Sequence, residues 1–154
     1  MSKARIAGVL VAAAIAVATP FVAGWEGKEN KPYLDAVNVV TVCYGHTKTA
    51  ATGGARTDAQ CQELLKQDLT ESMKAVGRHV KVPLTEARLV ALSSFVFNVG
   101  EGAFMRSTLL RKLNAGDTVG ACNELMRWVN AGGRKLKGLE RRRAAERELC
   151  LRGL

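Results

Sequence analysis

Residues 25–47 have the sequence WEGKENKPYLDAVNVVTVCYGHT, in which turn formers precede one β-branched run at residues 39–44, and Gly45 follows. Such a run, bounded by Asn, Asp and Gly, predicts a short β-hairpin or small sheet. The same stretch carries five polar side chains suited to acid–base chemistry, namely Glu26, Glu29, Asp35, Thr41 and His46. Carboxylates at such spacing are common on protein surfaces, so composition alone assigns them no role.

On the C-terminal side of this stretch, the sequence has the apolar spacing of α-helices. Residues 57–60 fit a capping box and predict a helix through about Ala75. Residues 83–85 open a second helix, ending near Gly100, that is apolar over most of its circumference and is therefore expected to be buried. Shorter helices are predicted over residues 107–113, 117–128 and 139–151, with a break at residues 131–133. We therefore expect an α+β fold, with a small β-hairpin lobe followed by a predominantly helical lobe.

The N-terminal residues form an apolar segment with a basic flank. Residues 6–24 carry no charge, and Lys3 and Arg5 precede them. As a helix this segment would span about 28 Å, close to the roughly 30 Å of a bilayer's hydrocarbon core. The basic flank predicts a cytoplasmic N-terminus and export of the rest of the chain. We expect an N-terminal apolar helix that acts in export.

Three kinds of export segment fit these residues: a cleavable signal peptide, a permanent anchor and an anchor that later releases. The segment is rich in Ala and Gly, which suits a weak anchor. Cleavage after Ala18 or Ala23 would leave Glu26 close to a new, frayed N-terminus. We therefore favour a retained, releasable segment over residues 1–24, followed by one domain over residues 25–154.

The net charge and the cysteines limit the binding partners and the cellular compartment that fit this chain. The chain has a net charge of +9, which predicts an anionic partner such as nucleic acid, anionic lipid or the carboxylates of a cell wall. The basic residues 134–152 lack a recognition motif or an aromatic stacking platform, so we expect no nucleic acid partner.

The four cysteines match no zinc motif, and no metal is expected. In an exported protein they suit two disulfides; of three connectivities, we favour Cys43–Cys61 and Cys122–Cys150, because each links neighbouring elements.

The spacing Glu26-x8-Asp35-x5-Thr41 resembles the signature of the phage lysozymes of glycoside hydrolase family 24. TVCYGHT (41–47) is similar to the family's hairpin after the catalytic Asp. Further blocks that resemble the family are SFVFNVGEGAF (94–104), STLLRKLNAGD (107–117) and RWVNAGGRKLKGLERRR (127–143). The resemblance covers roughly residues 25–150, so a chance match of one motif does not explain it.

This resemblance implies a lysozyme-like fold and a cofactor-free muramidase that hydrolyses the β-1,4 bond between N-acetylmuramic acid and N-acetylglucosamine in peptidoglycan. By position, Glu26 matches the general acid, Asp35 the carboxylate that activates water, and Thr41 the hydroxyl that helps to hold this water. The resemblance also implies inversion at the anomeric carbon, for which the two carboxyls should lie roughly 6.5–9.5 Å apart. A lytic transglycosylase is the rival enzyme class, but the Asp35–Thr41 pair argues for water as the nucleophile.

Other positions match the family's cleft and its supports. Those expected to line the cleft are Phe97, Asn98, Ser107, Trp128 and Asn130, although Phe97 and Trp128 also fit core packing. We expect His46 to brace the fold by pairing with an acid at Gln67-Asp68. Arg141 or Arg142 is expected to reach Glu26, and we take Arg141 as the structural candidate.

The weak anchor resembles that of signal-anchor-release endolysins. This implies a single-pass protein of the host inner membrane, held through residues 6–24 with its N-terminus in the cytoplasm, that is later released to the periplasm as a monomer and causes host cell lysis. Some relatives cage themselves with a disulfide that rearranges through a cysteine in the anchor. Residues 1–24 contain no cysteine, so that route is closed here. A membrane-tethered basic binding module is the non-enzymatic alternative.

Overall fold

A computed structural model describes the backbone of residues 3–153 and the side chains of residues 10–153. The basic side chains expected to flank the anchor, Lys3 and Arg5, lie outside the described side chains. The helices are α1 (Lys3–Ala23), α2 (Asp58–His79), α3 (Glu86–Val99), α4 (Glu101–Met105), α5 (Thr108–Asn114), α6 (Thr118–Glu124) and α7 (Lys137–Leu151). Two small antiparallel sheets pair β1 (Glu29–Leu34) with β2 (Val40–Cys43) and β3 (Asn130–Ala131) with β4 (Arg134–Lys135). The predicted α+β class, a small β-hairpin lobe with a predominantly helical lobe, is confirmed.

The β1–β2 hairpin occupies the stretch that predicts it. The ladder pairs Tyr33 with Thr41 and Leu34 with Val40. The turn is held by Asp35, whose Oδ1 accepts hydrogen bonds of 2.9 Å from the backbone N–H groups of Val37 and Val39. Only the second strand lies in the β-branched run. β1 has little β propensity of its own and forms because β2 offers it a hydrogen-bonding edge.

The two long helices follow their capping signals. Thr57 caps α2 with both bonds of the capping box present. This helix runs one turn past the predicted Ala75, because its apolar face continues to the fully buried Val76. Thr85 caps α3, and Gly100, at φ 88°, ends it. The residues of α3 from Arg88 to Val96 are all buried, which confirms its predicted place at the centre of the core.

The C-terminal half departs from the sequence-based boundaries in three places. The five residues of α4, directly after Gly100, were not predicted, since one helical turn is too short to show periodicity. α6 ends at Glu124 and continues as a 3-10 turn over Leu125–Arg127. Around the predicted break at residues 131–133, the chain forms the β3–β4 hairpin instead of an open loop.

Helix α1 packs into the same core as the rest of the chain. Ala14, Ala18 and Val22, spaced four residues apart, are fully buried in the main hydrophobic cluster. Their small side chains allow α1 to contact α2 and α3 closely. Among the helices of the described residues, none combines the length and apolar character needed to cross a membrane.

Two disulfides tie elements of the fold together. Cys43–Cys61 ties the end of β2 to α2, and Cys122–Cys150 ties α6 to α7. These are the pairings that the order of elements favours.

Candidate active site

Two pockets that share Gly45 lie beside the β1–β2 hairpin, and together they are called the groove. Its larger part, about 550 Å³, is lined by Glu26, Lys31 and Tyr33 among others. A second part, about 450 Å³, lies between residues of α2 and those at the end of α3. Gly45 lines both parts, so they adjoin at this residue. Its φ of 75° is a conformation that glycine adopts without strain.

Glu26 enters the groove from the end of α1. Its backbone N–H donates to the carbonyl of Val22 at 3.1 Å, so the last turn of α1 sets where the side chain begins. Its Oε1 lies 2.7 Å from Nη1 of Arg142, and the side chain is 23% exposed. The preceding residue Trp25 packs edge-on against Phe21, and a guanidinium holds Glu26.

The residue of α7 that reaches Glu26 is Arg142, so the choice of Arg141 was wrong. Arg141 is exposed, whereas Arg142, Arg143 and Glu146 are buried on the inner face of the helix. Since neighbouring residues of a helix point about 100° apart, a shift of one position exchanges an inner side chain for an outer one.

Arg142 belongs to a buried network of charges. Its Nε lies 3.1 Å from Glu146 Oε1, and its Nη2 donates to the carbonyl of Ser94 in α3 at 3.2 Å. Arg143 Nη1 contacts the other oxygen of Glu146 at 2.7 Å. Burial lowers the pKa of Arg143, and the charge of Glu146 partly offsets this. The network fixes the guanidinium that holds Glu26.

Asp35 and Thr41 lie on the hairpin beside the groove. Asp35 occupies the β1–β2 turn and is partly exposed. The Thr41 hydroxyl donates to the carbonyl of Val39 at 3.0 Å, and the residue is 4% exposed. Its ladder partner Tyr33 lines the larger part of the groove.

The residues expected to line the cleft fall into different environments. Phe97 lines the smaller part of the groove. Asn98 is exposed, and its Oδ1 accepts a hydrogen bond from Arg143. Trp128 packs edge-on against Phe95 at 5.2 Å between ring centroids, consistent with core packing. Asn130 is exposed in β3.

Ser107 requires a correction. Its hydroxyl donates to the carbonyl of Phe104 at 2.7 Å and accepts from the N–H of Leu110 at 3.1 Å. The residue is 7% exposed, and it is the N-cap of α5. Its hydrogen bonds are therefore used within the protein. The sequence signal was ambiguous, because a serine before an apolar run is also a capping signal.

His46 braces the hairpin against α2. Its Nδ1 lies 2.8 Å from Asp68 Oδ2, and its Nε2 lies 2.8 Å from the hydroxyl of Thr49. The imidazole is 3% exposed, so both ring nitrogens are paired inside the protein. Of the two expected partners at Gln67-Asp68, the structure selects Asp68. Within residues 3–153, no group of His, Cys, Asp and Glu side chains is arranged to hold a metal ion.

Three features of the groove were not singled out from sequence. Lys28 pairs with Asp58 at 2.6 Å, and this hydrogen bond raises the pKa of Lys28. Glu101 pairs with Arg78 and His79, each at 2.8 Å, beside the smaller part of the groove. Lys31 and Tyr33 line the larger part. For Lys31 and Tyr33, the spacing of two residues within the predicted hairpin was a signal that could have placed both side chains on the same side.

Comparison with known proteins places this geometry in a family. The family model for phage lysozyme matches residues 23–146, which include Glu26, the hairpin and Arg142. The chain belongs to the phage lysozyme family. Membership implies a glycosidase of the lysozyme type, and this protein is an endolysin of that type.

Phage proteins similar to this lysozyme cover most or all of its length. A SAR-endolysin of Bacteriophage PS119 is 50% identical over 131 residues, which are 84% of this chain and 78% of that protein. A SAR-endolysin of Enterobacteria phage PA-2 is 44% identical over 158 aligned positions, covering 98% of this chain and 96% of that protein. Among solved structures, P22 lysozyme is 34% identical, with a TM-score of 0.78 over 87% of this chain and 94% of that chain.

Proposed function

We propose that this endolysin hydrolyses the β-1,4 bond between N-acetylmuramic acid and N-acetylglucosamine in bacterial peptidoglycan, acting as a monomer, and thereby lyses the host cell. The observation that carries the proposal is the position of Glu26. It lines a groove of about 550 Å³ and is held by Arg142 from the far end of the chain.

In the proposed reaction, Glu26 acts as the general acid. It gives its proton to the bridging oxygen while the bond from this oxygen to the anomeric carbon breaks, and positive charge develops on the sugar ring. The contact with Arg142 engages Oε1, and Oε2 makes no hydrogen bond within the described part of the chain. Arg142 thus orients the carboxyl and leaves one oxygen for the substrate.

Asp35 and Thr41 complete the proposed reaction on the hairpin side. Asp35 takes a proton from a water molecule, whose oxygen then forms the new bond to the anomeric carbon from the opposite face, which inverts the configuration. Thr41 helps to hold this water. Two backbone N–H groups bind Asp35 Oδ1, so the carboxylate is fixed before substrate arrives. Phe97, Asn98, Trp128 and Asn130 remain proposed contacts to the glycan.

We further propose that residues 6–24 anchor the protein in the host inner membrane, with the N-terminus in the cytoplasm, until release into the periplasm. The similar proteins of phages PS119 and PA-2 carry the name SAR-endolysin, and the second aligns with 98% of this chain. α1 ends three residues before Glu26 and contributes Ala14, Ala18 and Val22 to the core. While α1 lies in lipid, that packing is absent and Glu26 is not positioned. Release therefore completes the site.

Mass spectrometry of the products tests the enzymatic proposal. Purified parent protein and its Glu26→Gln variant are incubated with peptidoglycan, and Glu63→Gln, an exposed change on α2, serves as the matched control. We expect reducing muropeptides from the parent and the control and none from Glu26→Gln. Anhydro products would assign a lytic transglycosylase, and equal activity of all three proteins would refute the role of Glu26.

A further inference from the structure

The outer face of β1 presents a lysine and an aromatic ring to the groove. Lys31 and Tyr33 are two residues apart on the strand, both are exposed, and both line the larger part of the groove with Glu26. The ladder register shifts between Glu29 and Tyr33, and it is their shared pocket lining that shows both side chains beside Glu26. Lys28 in the same groove is already paired with Asp58, whereas Lys31 makes no ion pair within the described residues. Lys31 is thus a cation available to a ligand.

The tip of this hairpin is also unusually apolar. Tyr33, Leu34, Val37 and Val39 are 42%, 62%, 75% and 42% exposed, and they lie within seven positions of the chain. The other exposed large hydrophobic side chains are scattered over α1, α4 to α7 and their connections. Tyr33 and Leu34 are neighbours on the strand and face opposite sides, so these side chains surround the tip, and exposed apolar groups at such a tip favour contact with a partner.

The position of Asp35 inside this cluster indicates what kind of partner covers it. Asp35 lies between Leu34 and Val37, and its Oδ1 is bound only by backbone N–H groups. Inserting the tip into a lipid interior would bury this carboxylate in hydrocarbon at a large energetic cost. The partner must therefore bring polar groups as well as apolar ones to this end of the hairpin.

We infer that Lys31 and Tyr33 bind the acidic peptide that peptidoglycan carries on its muramic acid residues, an inference that rests on the proposed function. The ammonium of Lys31 pairs with a carboxylate of this peptide, and the ring of Tyr33 covers its lactyl and alanyl methyl groups. Glu29 lies on the same strand and also lines the groove. This mixed pair of charges suits a peptide that has carboxylates and a free amine, and it disfavours a polyanion.

Paired substrates test this inference. Glycan strands that keep their peptides are compared with the same strands after an amidase has removed the peptides. We expect the parent to favour the first substrate in kcat/KM. Lys31→Met should lower kcat/KM about fivefold on peptide-bearing strands, mainly through KM, with a much smaller change on stripped strands. Tyr33→Ser should act in the same direction, by about three- to tenfold. Lys66→Met, an exposed change on α2, is the charge-matched control.

The outcomes separate this inference from the proposed function. Three results would overturn the inference: equal losses on both substrates, no loss for Lys31→Met, or a parent that does not distinguish the two substrates. In each of these cases the proposal that the protein hydrolyses peptidoglycan would still hold. A parent that releases reducing sugars from neither substrate would refute the proposed function first. Because both residues are exposed, we expect the variants to keep the parent's Tm. A second readout is the binding of a free muramyl peptide to the parent and to Lys31→Met, measured by calorimetry.

Discussion

Arg142 Nη1 lies 2.7 Å from Glu26 Oε1, although the two residues are 116 positions apart in the chain. Glu26 follows α1, and Arg142 is on α7, so the contact forms only when both helices pack against α3. Arg142 is anchored in turn by Glu146, which is fully buried. The position of the proposed acid therefore depends on the assembly of the whole helical lobe.

Replacing Arg142 with Met should destabilise the fold and reduce activity. It leaves Glu146 buried with one cation fewer and removes the group that orients Glu26. Breaking a buried ion pair on one side costs about 3–5 kcal/mol, which for a chain of this size lowers Tm by about 10 °C. Thermal unfolding and turnover of peptidoglycan measure the two effects. Arg141→Met, one position away but exposed, should change stability by less than about 0.5 kcal/mol; similar losses in both variants would contradict the role assigned to Arg142.

Leucine substitutions in α1 should separate membrane retention from folding. Ala12 and Ala16 are exposed in the packed helix, so replacing both with Leu strengthens an anchor without disturbing the core. We expect more protein in the membrane fraction, less in the periplasm, and later lysis. Ala14→Leu should instead cost about 1–3 kcal/mol of stability by overpacking, since Ala14 is fully buried. Unchanged release and lysis timing of the Ala12/Ala16 variant would refute the release model.

The ion-pair cluster around Glu101 should make stability depend on acidic pH. Hydrogen bonds from Arg78 and His79 lower the pKa of Glu101 from 4.5 to about 2. Since the pKa is lower in the folded state, the stabilisation is fully present above the unfolded pKa and is lost as pH falls from about 4.5 to about 2. Glu101→Gln should therefore lower the urea midpoint at pH 7, and its difference from the parent should shrink across that window. If the difference in urea midpoint between Glu101→Gln and the parent did not change with pH, the charge of Glu101 would not be the cause of the stabilisation. The control is Glu148→Gln, which removes an exposed ion pair on α7.

Removing the disulfide between Cys122 and Cys150 should weaken the helical lobe. The bond closes a loop with a sequence separation of 28, for which loop entropy predicts about 3.5 kcal/mol. The double variant Cys122→Ala/Cys150→Ala should show a lower urea midpoint and a steeper slope, because the unfolded chain without the cross-link exposes more surface. Free thiols at these positions in the oxidised parent, found by non-reducing peptide mapping, would contradict the pairing.

Local signals predicted much of this fold because they act over a few residues. The capping box at Thr57 and the cap at Thr85 locate the starts of α2 and α3, since each hydroxyl satisfies a backbone N–H within the next turn. The end of α3 at Gly100 follows from a positive φ that glycine adopts freely. By contrast, the hairpin was predicted from the β-branched run of β2 and the bounds of β1 were not, because the strand conformation of β1 depends on its partner β2 and not on its own residues.

The amino-acid sequence by itself determined the α+β class, the order of the long helices, the Glu26, Asp35 and Thr41 spacing and the family. These are properties of periodicity and of local motifs. Only the tertiary structure decided that Arg142 and not Arg141 holds Glu26, and that Ala14, Ala18 and Val22 join the core. The physical reason is common to both: the side of a helix that a residue occupies, and what packs against that side, depend on contacts between elements far apart in the chain.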